Sequence, residues 1–175
     1  MTHSRGAPKG RIRVDLGAAL ARLLVVPALP AFSAAYPDIE IDLGGTDRVV
    51  DLVAESIDCA IRAGQISDIS LVARQIGELH YVCCASPAYL KRQGRPTRPQ
   101  ALDVDGHVVL SYFNARAAGT PTFVFQSEDE QVEVHGRGPY AFNDANVAVA
   151  ACQAGLGVMR APRYLVQPQI GRAHV

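Results

Sequence analysis

The sequence contains no tryptophan and carries no excess of either charge. Its 17 Lys and Arg residues balance 17 Asp and Glu residues, so the formal net charge is zero. A free-standing nucleic-acid-binding domain usually shows a basic surface, and this composition argues against that class. The basic residues near the start of the chain are more typical of a solvated tail than of a phosphate-binding arm. They are Arg5, Lys9, Arg11 and Arg13.

The motifs of the common enzyme and cofactor classes are also missing. The chain has no GxSxG nucleophile motif and no P-loop, and its five histidines lack HxxxH or HExxH spacing. Gly155 and Gly157 form a lone GxG that follows a predicted helix, whereas a dinucleotide fingerprint opens one. We therefore expect no catalytic residues, no metal site and no cofactor.

Targeting segments are not evident either. Residues 1–13 are polar and basic without an apolar run, which predicts no signal peptide and a cytoplasmic location. Leu20–Leu29 is apolar, but a bilayer span takes about 20 residues, and Arg22 interrupts this stretch. We expect no membrane contact.

The four cysteines show no CxxC spacing. Neighbouring residues on a strand point to opposite faces, so Cys83 and Cys84 would make a poor disulfide. All four cysteines have apolar sequence neighbours and are predicted to be small core residues in a reducing compartment. They are Cys59, Cys83, Cys84 and Cys152.

The residues that are present favour an α/β protein. The 175 residues, 49% of them apolar, suit one domain or two small lobes. Arg11–Leu16 and Ile39–Leu43 alternate as strands, and the segment between them repeats apolar residues every four positions, as a helix does. Pro27 is expected to kink or restart that helix. The repeated residues are Leu20, Leu24, Ala28 and Phe32.

The stretch Asp47–Gly64 continues this alternation. Apolar residues at 49, 50, 52 and 53 predict a helix with Asp47 as its N-cap, and Ile57–Ile61 then alternates as a third strand. Strand, helix, strand, helix and strand imply a parallel sheet with right-handed crossovers. Ligands gather beyond the carboxyl ends of such strands, where Arg62 would lie. Arg62 is equally suited to an ion pair and to clamping a ligand carboxylate.

The second half of the chain is predicted to form a further α/β lobe. Ser86 would cap a helix that ends at Gly94, and either Asn143 or Asp144 would cap a helix over 145–154. For Asn143 a capping role and a ligand role stay open. The expected strands are His80–Ala85, Val108–Phe113, Thr122–Gln126, Val132–His135, Tyr140–Phe142 and 158–160, with a loop at Asn114–Pro121 and a turn at Ser127–Gln131.

These elements predict two Rossmann-like lobes with a cleft between them. The first lobe would comprise residues 11–82 and 158–175, and the second residues 83–157, after a tail or linker remnant at 1–10. The strands of each lobe would present their carboxyl ends to the cleft, where small-molecule sites commonly occur.

Three motifs, taken in order, resemble the effector-binding domain of LysR-type transcriptional regulators. They are TDRVVDLVAESIDCAIRAG at Thr46–Gly64, LVARQIG at Leu71–Gly77 and CASPAYL at Cys84–Leu90. The resemblance runs from about residue 10 to about residue 170. It implies a fold similar to type 2 periplasmic binding proteins, a small-molecule effector between the lobes, and a homodimer or tetramer. The dimer would use the helix Leu20–Tyr36 beside an exposed sheet edge of the partner.

The resemblance also implies which residues contact the effector. Ser111 joins the set because it ends a predicted strand. Many relatives carry Ser or Thr where this chain has Gly17, Ala18 and Ala19, so the ligand would be more apolar here or would be held by the second lobe. Many relatives also have a tryptophan near Phe123. The expected effector-binding residues are Ala18, Ala19, Thr46, Arg62, Ala63, Gly64, Ser111, Phe142, Asn143 and Asp144.

The sequence thus predicts an effector-sensing domain that binds a small anionic or aromatic metabolite and is not an enzyme. Promoter DNA would be bound by a helix-turn-helix that this sequence does not include, and the first lobe would lack its last strand and helix. The alternatives are a solute-binding receptor of a transport system, which shares the fold, and a small α/β transferase or hydrolase. Peroxide sensing is a further alternative, since some LysR-type regulators respond to redox state.

Overall fold

The computed structural model describes residues 7–64, 70–113, 122–126 and 131–170. The chain divides into two compact units, Met1–Arg74 and Gln75–Val175, and each is described by itself. The predicted loop at 114–121, most of the predicted turn at 127–131 and the tails at 1–6 and 171–175 lie outside the described residues.

The first unit is built on a parallel three-stranded sheet. Its strands are β1 (Gly10–Leu16), β2 (Ile39–Gly45) and β3 (Cys59–Ile61), in the order β2-β1-β3. The central strand β1 pairs in parallel with both neighbours, so Leu16 lies beside Gly45 on one side and Ile61 on the other. The predicted strand–helix–strand unit and its parallel sheet are confirmed for this part of the chain.

One irregular helical segment connects β1 to β2. It comprises α1 (Ala18–Leu20), a π-helical turn (Ala21–Val25), a 3-10 turn (Val26–Ala28) and α2 (Leu29–Ala35). Pro27 lies in the 3-10 turn, where the missing amide proton and fixed φ are accommodated without ending the helix. We name these 18 residues the first helix.

The first helix is apolar but mostly exposed. Its mean hydropathy is 1.7 and only 11% of it is buried, so by length and composition it could cross a membrane. Leu24 is 49% exposed and Phe32 is 36% exposed, although the predicted apolar stripe suggested a core-facing position. Because this helix joins two adjacent parallel strands, it serves the unit as a crossover connection.

The predicted helix after Asp47 is wrong. Residues 52–56 form only a turn, and its cap is Asp51, whose Oδ1 accepts the N–H groups of Val53 and Ala54 at 3.0 and 2.9 Å. Ser56 then adopts a positive φ of 52°, which ends the turn. Asp51 therefore takes the capping role that was predicted for Asp47. The apolar side chain of Val53, which the predicted helix would have placed on its apolar face, is exposed.

The described part of the second unit contains three two-stranded pairings. Strand β4 (Tyr81–Cys84) runs antiparallel to β9 (Met159–Pro162), β5 (Ser111–Tyr112) runs parallel to β8 (Ala141–Phe142), and β6 (Thr122–Gln126) forms an antiparallel pair with β7 (Gln131–His135). The predicted hairpin is confirmed. The described helices are α3 (Pro87–Gln93), α4 (Ala101–Val104), α5 (Ala145–Gln153) and α6 (Arg163–Ile170).

Tyr89 is the largest fully buried side chain of the second unit, at 1% exposure. Its hydroxyl accepts the N–H of Val108 at 2.9 Å and hydrogen-bonds His107 Nδ1 at 3.1 Å, so its polar end is satisfied inside the core. Ser86 accepts the Tyr89 N–H at 3.3 Å, which confirms the predicted N-cap and fixes where α3 begins. Packed around Tyr89 are Leu102, Val109, Phe123, Val134 and Val158.

The glycines after α5 have a structural role. Gly155 has a φ of 79°, which ends the helix, and a Cβ on Gly157 would lie 2.5 Å from the Val108 carbonyl oxygen. Glycine at 157 lets Val158 exchange backbone hydrogen bonds with Val108 and Leu110, at 2.8 Å each. The lone GxG is thus a helix stop followed by a close backbone approach.

Strand β9 pairs with β4 through ladder hydrogen bonds and lies in the second unit. The assignment of residues 158–175 to a first lobe stays a prediction. The predicted burial of all four cysteines is wrong. Cys152 is buried and Cys84 is half-buried, but Cys59 and Cys83 are exposed.

Candidate functional site

The predicted effector residues of the first unit share one edge of its sheet. Leu16, Gly45 and Ile61 are in register, so the chain leaves all three strands at the same carboxyl edge. Thr46 follows β2 directly, and its N–H donates to the Leu16 carbonyl oxygen at 2.9 Å. The residues brought to this edge are Ala18, Ala19, Thr46, Arg62, Ala63 and Gly64.

Arg62 is engaged in an ion pair at this edge. Its Nη2 donates to Oδ1 of Asp15, a residue that is only 7% exposed. Nη1 donates to the Ile61 carbonyl oxygen at 3.1 Å, and Nη2 also lies 3.5 Å from the Arg48 carbonyl oxygen. Of the two roles suggested for Arg62, the structure shows the ion pair. The guanidinium neutralises a buried carboxylate and is oriented by backbone carbonyls.

The Asp47 carboxylate lies close to position 17. A Cβ on Gly17 would lie 2.7 Å from Asp47 Oδ1, so a residue such as Ser or Thr there would require the Asp47 side chain to move. Ala19 is 2% exposed, which leaves little of its methyl group for a ligand. Besides the paired Arg62, the partly exposed polar side chain among the predicted residues at this edge is Thr46, whose Oγ1 accepts the Arg48 N–H at 3.3 Å.

A second ion pair fixes the loop beside the edge. Arg48 donates to both carboxylate oxygens of Glu55, with 2.8 Å between Nη1 and Oε1. The hydrogen bond from Arg48 lowers the pKa of Glu55 below its ordinary value, and the same contact raises the pKa of Arg48. The pair closes the segment between Thr46 and β3 into a defined loop.

The predicted residues of the second unit meet at the ends of β5 and β8. Ser111 pairs with Ala141 and Tyr112 pairs with Phe142, and the Phe113 N–H donates to the Phe142 carbonyl oxygen at 2.8 Å. The chain therefore leaves both strands at one edge, where Asn143 and Asp144 follow. Ser111 is only 8% exposed, so its side chain is directed into the unit.

The N-cap of α5 is Asp144. Its Oδ1 accepts the N–H groups of Asn146 at 2.8 Å and Val147 at 2.9 Å. Because Asp144 accepts both of these hydrogen bonds, Asn143 is not the N-cap of α5. Tyr112 ends the same predicted strand as Ser111 but is not among the expected effector-binding residues. It is 44% exposed, and its Oη donates to the Asn143 carbonyl oxygen at 3.1 Å.

A cavity of about 570 Å³ lies elsewhere in the second unit. Residues of β4, β6 and β9 line it, and the Arg160 guanidinium lies 4.2 Å from the centre of the Tyr81 ring at its wall. None of the predicted effector residues lines this cavity. Among the described residues, no group of three or more His, Cys, Asp or Glu side chains could hold a metal ion.

The chain matches known transcriptional regulators along most of its length. It is 34% identical over 151 residues to an HTH-type transcriptional repressor of Pseudomonas aeruginosa, which covers 86% of this chain and 47% of the repressor. It spans about half the length of the curated relatives that it matches. These relatives are regulators, and the alternative of a transport receptor is not favoured.

Solved structures agree with the sequence relatives. The full-length virulence activator AphB of Vibrio cholerae is 31% identical with a TM-score of 0.76, covering 95% of this chain and 55% of AphB. The regulatory domain of CrgA from Neisseria meningitidis shares the fold, with a TM-score of 0.79 at 23% identity over 95% of this chain and 79% of that domain. The mixed α/β fold is that of LysR regulatory domains, which have the periplasmic binding protein type 2 fold.

The family model described as the LysR substrate binding domain matches residues 5–175. The family match, the sequence relatives and the solved structures agree with the observed fold. The chain therefore belongs to the LysR substrate-binding domain family.

Proposed function

We propose that this chain senses a small metabolite through residues at the carboxyl ends of its strands. The observation that carries the proposal is that each unit gathers its predicted residues at the carboxyl edge of parallel strands, where ligands of α/β folds bind. Membership of a family of substrate-binding domains supports the same role. The chain would act by binding and not by catalysis.

The charges at the first edge narrow the chemistry of the ligand. Arg62 is paired with Asp15 and Arg48 with Glu55, so both of these arginines at the first edge are already in ion pairs. It offers the Thr46 hydroxyl and the small residue Ala18. We infer that this edge suits an apolar or aromatic group better than a carboxylate.

The second edge, taken by itself, is suited to a polar group of a ligand. The Asn143 side chain is not the cap of α5, and the exposed Tyr112 ring lies beside it through the bond to the Asn143 carbonyl oxygen. Amide and phenol groups hydrogen-bond carboxylates and carbonyls. The favoured ligand is an aromatic or other apolar carboxylate.

In the whole protein, this domain would control promoter binding by a helix-turn-helix, in a cytoplasmic homodimer or tetramer. The relatives are named HTH-type regulators, and the chain spans about half their length. The exposed first helix supports the dimer: a mostly unburied apolar surface of 18 residues would be removed from water by a second copy. Ligand binding would shift the equilibrium between arrangements of the oligomer.

A thermal-shift screen of small aliphatic and aromatic carboxylates tests the proposal. A ligand at about 100 times its Kd should raise the Tm by roughly 5 to 10 °C, because it binds only the folded state. The shift should fall in Thr46→Val and Asn143→Ala and persist in the surface control Lys91→Ala. Equal shifts in all four proteins would place the ligand elsewhere and contradict the proposed site.

A further inference from the structure

The cavity of the second unit is a concave surface that the effector proposal does not use. Its volume of about 570 Å³ lies within the range of roughly 300 to 1,000 Å³ that is usual for small-molecule sites. Two walls form it, namely the two-stranded ribbon of β4 and β9 and the last residues of β6. Its described lining residues all belong to the second unit.

Strand alternation places polar side chains of the ribbon on the cavity side. Arg160 pairs with Cys83 in the ladder, and Tyr81 lies two residues before Cys83 on the same face. The alternate residues Met159 and Ala161 lie on the opposite face and are only 4% and 1% exposed. One face of the ribbon is therefore packed in the core, and the other presents Tyr81, Cys83 and Arg160 to the cavity.

Arg160 is held by a contact that does not use its hydrogen-bond donors. The central carbon of its guanidinium lies over the Tyr81 ring, 4.2 Å from the ring centroid. Such a cation–π contact engages the face of the ring and leaves the N–H groups in the plane of the guanidinium. Among the described residues, no carboxylate forms an ion pair with Arg160. The cavity wall thus carries a positioned cation that can still donate to an anion.

The electrostatics of the cavity favour a negatively charged guest. None of its described lining residues is acidic, whereas Arg160 and His80 are basic and Gln126 offers an amide. Although part of the Cys83 side chain is exposed, burial of the rest raises the pKa of Cys83 to about 11, and the charge of Arg160 acts in the opposite direction. The wall is therefore poorly hydrated and has a positive charge beside it.

The remainder of the described lining is apolar. Leu79 and Val82 lie on the ribbon side, and Val124 and Phe125 lie on the side of β6. The Phe125 ring is edge-on to the buried Phe123 ring, with 6.4 Å between the centroids, which ties this wall to the core. A guest that satisfies both walls needs an apolar body as well as an anionic group.

We propose that this cavity is a second ligand site, which binds a small aromatic carboxylate independently of the strand edges. The carboxylate accepts hydrogen bonds from Arg160, whose planar guanidinium matches the two carboxylate oxygens. The aromatic ring packs against Phe125 and the neighbouring apolar side chains. A purely polar anion would leave this apolar wall without a partner, and an aromatic amine would meet a like charge.

Cys83 allows the site to be tested by chemical footprinting. The reduced, folded chain is labelled with N-ethylmaleimide at mildly alkaline pH, with and without cinnamate, and mass spectrometry follows each thiol. At about ten times its Kd, cinnamate should slow the labelling of Cys83 by roughly tenfold, because only the unoccupied chain reacts. Cys59, which is exposed in the first unit, should be labelled at an unchanged rate. Cinnamyl alcohol has the same ring without the charge and should protect Cys83 much less.

Variants then locate the charge that binds the probe. Arg160→Met should weaken the protection by cinnamate about 10-fold to 100-fold, and Arg160→Lys should weaken it less because the ammonium keeps the charge but not the planar fork. Arg95→Met removes an exposed arginine after α3 and should behave as wild type. Thr46→Val and Asn143→Ala should also keep the protection, so this site and the strand edges can fail separately.

Three results would overturn the proposal. They are a Cys83 labelling rate that cinnamate does not change up to its solubility limit, equal protection by cinnamyl alcohol, and wild-type protection in an Arg160→Met chain with native circular dichroism. Protection that is lost in Thr46→Val or Asn143→Ala but kept in Arg160→Met would place the probe at a strand edge instead. The comparison of cinnamate with cinnamyl alcohol uses the unaltered chain, so the test holds even if Arg160→Met fails to fold.

Discussion

Replacing Arg62 by Met should destabilise the first unit more than replacing its partner. Arg62→Met leaves the Asp15 carboxylate without its counter-ion at a position that is 7% exposed. Removing one partner of a buried pair costs about 3 to 5 kcal/mol, and the lower end applies here because the Arg62 side chain is 29% exposed. For a chain of this size, about 3 kcal/mol lowers the Tm by roughly 6 to 12 °C.

The reverse change should be milder. Asp15→Asn removes the charge but keeps a hydrogen-bond acceptor of the same shape, and Arg62 can turn its guanidinium towards water. We expect a loss of about 1 kcal/mol from this variant. In the double variant the buried charge and its partner are both gone, so its loss should be smaller than the sum of the single losses by about 2 kcal/mol.

Urea unfolding followed by circular dichroism gives the three free energies. The cycle also cancels the loss of the bonds from Arg62 to the backbone carbonyls, since both Arg62→Met proteins lack them. If the two single variants lose equal stability and their effects add within about 0.5 kcal/mol, Arg62 is not the counter-ion of Asp15. A role in clamping the ligand would then be the better interpretation.

Three further predictions follow from the hydrogen bonds. Asp144→Ala should lower the free energy of unfolding by about 1 kcal/mol through loss of the α5 cap, whereas Asn143→Ala should change it little; equal losses would contradict the assignment. Tyr89→Phe leaves a buried N–H and an imidazole nitrogen without their hydroxyl partner and should cost about 1 to 3 kcal/mol in urea unfolding. Arg48→Met should lower the Tm at pH 7, and this loss should become smaller as the pH falls below 4.5. The reason is that Arg48 lowers the pKa of Glu55, so the stabilisation is present above the ordinary value of 4.5 and disappears as the pH falls through the lowered one. A Tm difference that stays the same from pH 7 to strongly acidic pH would contradict this.

Short sequence patterns predicted helices and strands correctly where only one residue could cap or end the element. The alternation of β1 and β2, the Ser86 cap and the stop at Gly155 were all confirmed. They depend on side-chain alternation, on a hydroxyl next to a proline, and on a glycine with positive φ. Each of these acts within a few residues.

Where two residues competed for one role, the same signals either selected the wrong residue or left the choice open. Asp47 and Asp51 could each have capped a turn, and the chain uses Asp51 because Asp47 lies against Gly17 instead. Asn143 and Asp144 competed in the same way for α5, and Asp144 accepts the N–H groups. Spacing alone does not distinguish such neighbours, because the choice depends on contacts with residues far along the chain.

The sequence by itself determined the parallel β-α-β order, the residues that leave each strand end and the resemblance to LysR effector domains, since all three are encoded in local periodicity and contiguous motifs. Only the tertiary structure decided that Arg62 neutralises Asp15 and that Cys152 contacts Cys84. These pairs are separated by 47 and 68 residues, and a contact over such a distance exists only once the strands and helices have packed.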